Sequence, residues 1–90
     1  MTRPRLLVSV RSAAEALDAS AADFLDIKEP AAGALGAASA ATAESVCRVT
    51  GAAQKVTAAA GELLDWPKSP SRELLNVAGV SAIKLGLAGC

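Results

Sequence analysis

Ninety residues make one small domain, which buries only somewhat over ~60% of the surface of its unfolded chain and is marginal without help. The composition is globular, 52% hydrophobic and 20% charged, but much of the apolar share is alanine and the chain holds one Phe, one Trp and no Tyr, so it is short of core. Nine basic residues balance nine acidic ones with no basic cluster or aromatic platform to suggest nucleic acid. With no histidine, every imidazole mechanism is excluded, and Cys47 and Cys90 alone are too few for the usual Cys/His metal site.

The N-terminus, Met1-Thr2-Arg3-Pro4-Arg5, precedes a stretch of five apolar-type residues that includes Ser9. That is too short for a signal-peptide core, and no run approaches a membrane span, so the expectation is a cytoplasmic protein with no membrane partner. Leu6 to Val10 reads as the first strand. Ser12 with Glu15 three residues on is a capping box, which opens a helix running to about Ser20. Phe24 to Lys28 is the second strand, followed by a long Gly/Ala loop from Glu29 to Ser39. A second helix is predicted from Thr42, where Thr42 and Ser45 compete as caps, to about Val49, with Gly51 ending it. It carries Cys47, read as a small buried apolar residue. Lys55 to Ala60 is strand three, and Gly61 to Ser69 is a loop. Ser69-Pro70 reads as an N-cap followed by proline at the first position of a third helix, roughly Pro70 to Ala78 and closed by Gly79. Strand four runs from about Ser81 to Leu87.

The order β-α-β-α-β-α-β, with connections long enough for right-handed parallel crossovers, makes the class α/β. Periodicity alone does not separate an open doubly wound sheet from a (β/α)8 barrel. The strand faces narrow the choice. Phe24, Asp26 and Lys28 share one face of strand two, opposite Leu25 and Ile27; Ala82, Lys84 and Gly86 share one face of strand four, opposite Ile83, Leu85 and Leu87. The aliphatic face suits a cover of helices, and the charged face suits a barrel interior near its C-terminal mouth. Ser9 and Thr57 are candidates for the same face, with Ser9 a candidate substrate contact, although both faces of strand three are rich in alanine.

Lysine is rarely buried unless paired, and Lys28 and Lys84 both end up in apolar strands. If strands two, three and four are neighbours, the two lysines lie about 10 Å apart at the backbone, within reach of each other. Two readings stand side by side. In one, ammonium groups brought together disfavour charging both, one becomes an amine nucleophile, and Asp26 holds the other charged. In the other, Asp26 and Lys28 form a structural ion pair and Lys84 snorkels outward.

Five stretches, Leu6-Leu7-Val8-Ser9-Val10, Ala22-Asp23-Phe24-Leu25-Asp26-Ile27-Lys28-Glu29-Pro30, Gly33-Ala34-Leu35-Gly36-Ala37, Lys55-Val56-Thr57-Ala58 and Ile83-Lys84-Leu85-Gly86-Leu87, carry a family resemblance. In order and spacing they resemble the N-terminal portion of (5-formylfuran-3-yl)methyl phosphate synthases, enzymes of methanofuran biosynthesis in C1 metabolism. The most specific part is Asp-x-Lys-x-Pro followed by Gly-x-Leu-Gly-Ala. The resemblance implies a TIM-barrel carbon–oxygen lyase acting on phosphates by class I aldolase-like chemistry, which joins two molecules of glyceraldehyde 3-phosphate with loss of phosphate and water. It implies Lys28 as the Schiff-base former, Lys84 as the proton acceptor and Asp26 as a supporting group, with no metal or organic cofactor. Gly33 and Gly36 follow the mouth of strand two, where glycines let backbone N–H groups approach a substrate phosphate or simply serve turn geometry. Glu62 stands where the family pattern has an aspartate after glycine.

A (β/α)8 barrel takes roughly 200 residues or more, so residues 1–90 are expected to form a single partial TIM-barrel domain, an N-terminal half barrel of four parallel strands and three helices with the last helix missing. Such a half exposes strand edges and is expected to form a homo-oligomer or to associate with a missing C-terminal half. A non-catalytic half barrel and a small α/β module that binds phosphorylated metabolites are the competing readings.

Overall fold

The computed structural model describes residues 3–32 and 36–89; Gly33 and Cys90 lie outside the described residues. In chain order the elements are β1 (Leu7–Val10), α1 (Ala13–Asp18), β2 (Phe24–Ile27), α2 (Ala40–Val49), β3 (Lys55–Glu62) and β4 (Val80–Gly86). Short 3-10 segments occupy Pro30–Ala32, Leu63–Lys68 and Pro70–Asn76. The strands form one sheet in the order β1-β2-β3-β4, every pair parallel.

Local chemistry sets these boundaries. Ser12 Oγ accepts the Glu15 N–H at 3.2 Å, and Glu15 Oε1 accepts the Arg11 N–H at 2.7 Å, a capping box whose return bond lands one residue before the cap. The second helix corrects the expected start. It begins at Ala40 with Ser39 as N-cap, whose Oγ accepts the Thr42 N–H at 3.1 Å. Ala40 and Ala41 are strong helix formers, so the helix extends back to the first side chain able to cap it. Thr42 and Ser45 are both internal, and Ser45 Oγ donates to the Ala41 carbonyl at 3.1 Å. Nor does Gly51 end this helix; Thr50 does, with its hydroxyl on the Val46 carbonyl at 2.7 Å.

The third crossover is also corrected, since it holds two 3-10 segments rather than an α-helix. Pro67 and Pro70 lack N–H donors, and a 3-10 helix rises about 2.0 Å per residue against 1.5 Å for an α-helix, so a short strap covers more distance. Ser69 caps the second segment as expected, accepting the Ser71 N–H at 3.1 Å. Ser71, buried, donates from its hydroxyl to the Ala60 carbonyl at 2.9 Å and fastens the strap to β3.

One face of the sheet carries the core. Val10, Leu25, Ile27, Val56, Ala58 and Ala60 pack against Ala16, Ala43, Val46, Leu74 and Val77 from the helical segments. Alanine at so many of these positions lets helices approach closely at the expense of buried area. The shortest dimension, 21 Å, matches a sheet backed by one layer of helices about 10 Å thick. No helix among the described residues is long and apolar enough to cross a membrane.

Candidate active site

The opposite face holds the polar residues, and the parallel register sorts them into rows. Ser9 pairs with Asp26, Asp26 with Thr57, and Thr57 with Ala82. One layer nearer the C-terminal ends, Ala59 pairs with Lys84. Lys28 follows Ile27, which pairs with Ala58, so continuing the ladder by one residue sets Lys28 abreast of Ala59. Its N–H bonds the Val10 carbonyl at 3.1 Å, which holds the end of β2 in line. The two lysines therefore flank Ala59, whose fully buried methyl group leaves the gap between them clear. Strand three, ambiguous in the sequence, presents Thr57 on the polar side.

Asp26 is the centre of this face and is wholly buried. Oδ1 accepts the Thr57 hydroxyl at 2.7 Å, and Oδ2 accepts Lys84 Nζ at 2.6 Å. Lys28 Nζ stands 3.9 Å from the same Oδ2. A carboxylate without water must be paired and hydrogen-bonded, and Asp26 has both. Lys84 does not turn outward: it is the closer of the two partners, with its side chain 39% exposed against 31% for Lys28. One oxygen thus gathers two cationic side chains from strands separated by β3.

Ser9 is exposed beside Asp26, and its hydroxyl makes no hydrogen bond among the described residues. Gly36 shows its carbonyl in use, accepting the Glu29 N–H at 3.3 Å. Sequence reasoning missed the direction of Glu62. Ala59 pairs with Lys84 and Glu62 with Gly86, so three steps on β3 match two on β4. The extra residue is a β-bulge at Gly61, whose φ is +86°. It puts Glu62 on the polar face, where a β-carbon on Gly86 would collide with its carboxylate. Glu62 Oε2 accepts the Ala88 N–H at 3.0 Å. A lone glycine near a strand end was the available signal.

At the other ends of the strands, Arg3 makes a two-bond pair with Asp23, at 2.7 and 2.9 Å, and Asp23 also accepts the Leu6 N–H at 2.7 Å. The hydrogen bond from Arg3, with that from Leu6, holds the Asp23 carboxyl down at about 2. Cys47, expected to be buried, is only partly so and packs against the edge of the core; that burial pushes its thiol up.

Comparisons with known proteins bear on the family of the chain. A family model described as 4-HFC-P synthase matches residues 6–90. A curated relative from Methylorubrum extorquens, named "Putative (5-formylfuran-3-yl)methyl phosphate synthase", is 37% identical over 89 residues, which cover 97% of this chain. The chain spans 38% of the length of that relative. No solved structure matches the chain. With the family model spanning β1 to β4 and the relative aligned over nearly every residue, the chain belongs to the 4-HFC-P synthase family.

Proposed function

We propose that this chain supplies the lysine-bearing N-terminal part of a (5-formylfuran-3-yl)methyl phosphate synthase, a lyase that condenses two molecules of glyceraldehyde 3-phosphate through a lysine Schiff base, in methanofuran biosynthesis. The observation that carries the reading is the convergence of Lys28 and Lys84 on Asp26 Oδ2. Lys28, held loosely at 3.9 Å, is the amine that loses its proton, attacks the aldehyde carbon and forms an iminium with loss of water. Lys84 passes its own proton to Asp26 Oδ2, 2.6 Å away, and takes the proton from the carbon beside the iminium; the resulting enamine attacks the second aldehyde, whose oxygen takes up the proton from Lys84. Asp26 orients both amines while Thr57 fixes the carboxylate. Ser9, Gly33 and Gly36 are assigned to substrate contact, and the steps named here call on no metal or organic cofactor.

The four strands are, in this reading, the first half of a (β/α)8 barrel in a cytoplasmic enzyme. Two observations support it: the edge strands β1 and β4 each have one neighbour only among the described residues, and the chain covers a minor share of its relative. A C-terminal half, or a second copy of this chain, completes the barrel.

Borohydride reduction of the complete protein with glyceraldehyde 3-phosphate tests the mechanism. An adduct is expected on Lys28, absent in Lys28→Arg because a guanidinium stays protonated. Lys84→Met should still trap aldehyde and lose turnover. Peptide mapping that places the adduct on Lys84 reverses the two roles, and no adduct at all removes the mechanism in favour of a non-catalytic half barrel.

A further inference from the structure

The bulge at Gly61 spends a left-handed residue and a ladder irregularity on moving one side chain. Without it, Glu62 would continue the alternation of Ala58 and Ala60 and point into the helix layer. With it, the carboxylate crosses to the polar face and lies over the backbone of Gly86, a position that has no β-carbon to block it. Gly86 is two residues beyond Lys84 on the same face, about 6.6 Å nearer the C-terminal end of β4. Asp26 lies one layer in the other direction and closes the floor of the site. Glu62 Oε2 is held by the Ala88 N–H, whereas Oε1 has no hydrogen-bond partner among the described residues.

We propose that Glu62 is a specificity-determining residue, whose free oxygen accepts a hydrogen bond from a hydroxyl on the carbon next to the substrate carbonyl and whose charge turns the substrate phosphate toward the β1–β2 side. The inference rests on the Schiff-base reading above. An aldehyde bonded at Lys28, with a buried floor beneath it, extends toward the strand ends and passes the layer of Gly86 and Glu62. A carboxylate there is an acceptor without a donor, complementary to a hydroxyl and repulsive to a phosphate. On the opposite side of the rim the charged group at the end of β1 is Arg11, paired with Glu29 at 3.5 Å.

Borohydride trapping at Lys28 in the complete protein, with the aldehyde concentration varied, reads this directly. The two probes are glyceraldehyde 3-phosphate and 3-oxopropyl phosphate, which lacks only the hydroxyl. The unaltered protein should reach half-maximal trapping at a concentration at least about tenfold lower for the hydroxylated aldehyde, because a site built to bond a hydroxyl leaves a group unpaired without it. Glu62→Gln keeps the shape and the acceptor for Ala88 but loses the charge; it should raise the concentration for glyceraldehyde 3-phosphate about fivefold and not raise that for 3-oxopropyl phosphate, whose phosphate is no longer repelled. Glu62→Ala should abolish the preference, and if it fails to fold the glutamine variant carries the test. Equal trapping of both probes by the unaltered protein, or variants that shift both alike, overturns the proposal and leaves Glu62 a tie for the segment after β4. No adduct with either probe overturns the Schiff-base reading and this inference together.

Discussion

Asp26 shows how one side chain sets both stability and chemistry. Its two oxygens are satisfied by Thr57 and Lys84, and Lys28 adds a looser charge. Removing one partner of a buried pair leaves an uncompensated charge, which costs roughly 3 kcal/mol. Lys84→Met should therefore lower stability by about 3 kcal/mol and Lys28→Met by only about 1 kcal/mol, its contact being longer and part-exposed. Urea unfolding of the complete protein gives both values, and an equal loss would mean that the carboxylate does not distinguish the two lysines. Both lysines and Asp26 were legible in the sequence because alternation along a strand assigns side chains to faces without further information. Their shared oxygen was not, since it depends on side-chain rotamers and on Ala59 keeping the gap clear. Asp23 offers a pH test. Its carboxyl is held at about 2, below the value near 3.9 of an unfolded chain, so its pairing stabilises the fold above pH 4 and that contribution fades as pH falls through 2. The stability gap between the unaltered protein and Asp23→Asn should be constant above about pH 5 and close by pH 2, read by chemical unfolding across that range.

The elements divide into those set by pattern and those set by geometry. Strand order, the parallel direction and the capping box at Ser12 follow from short-range signals, and the structure has all three. The start of α2 moved back to Ser39 because Ala40 and Ala41 extend the helix past the expected cap at Thr42, and the third crossover became 3-10 because prolines and span govern a short strap. The bulge in β3 was hidden because it exists only as a mismatch between two strands distant in sequence. Two glycines separate strain from crowding. Gly61 and Gly79 both have positive φ, yet a β-carbon on Gly61 would have only Ala37 nearby at 3.7 Å, whereas on Gly79 it would meet Cys47 Sγ at 3.1 Å. Gly61→Ala should cost about 1–2 kcal/mol from backbone strain. Gly79→Ala should cost about 1 kcal/mol more as the Cys47 side chain is displaced. Thermal unfolding that ranks them the other way would refute the role of the thiol as a packing wall.

For the whole molecule, a sheet covered on one face has two consequences. Among the described residues β1 and β4 each have a free side, and Leu6, Leu7 and Leu87 are about half or more exposed. Unpaired edges with apolar neighbours template further pairing. Prepared by itself, the 90-residue chain should self-associate, with a sedimentation coefficient that rises with concentration. Leu7→Lys, which puts a charge at the β1 edge, should reduce that rise. A concentration-independent monomer would show that the edges need no partner and would remove the argument for barrel completion.

Strands that lie side by side in chain order also imply a sequence of events in time. Each strand lies on the edge of the one before it, and Asp26 to Lys84, separated by 58 residues, is the longest-range side-chain hydrogen bond among the described residues. As the chain grows from its N-terminus, β2 is made long before β4. Over that interval Lys28, two positions away, is the nearby cation able to neutralise Asp26, and Lys84 arrives as the final partner. Lys28 would then act as a folding counter-ion as well as a reactive amine. Its loss should slow refolding, whereas the loss of Lys84 should chiefly speed unfolding, the two limbs of a chevron plot separating duties that the finished site combines.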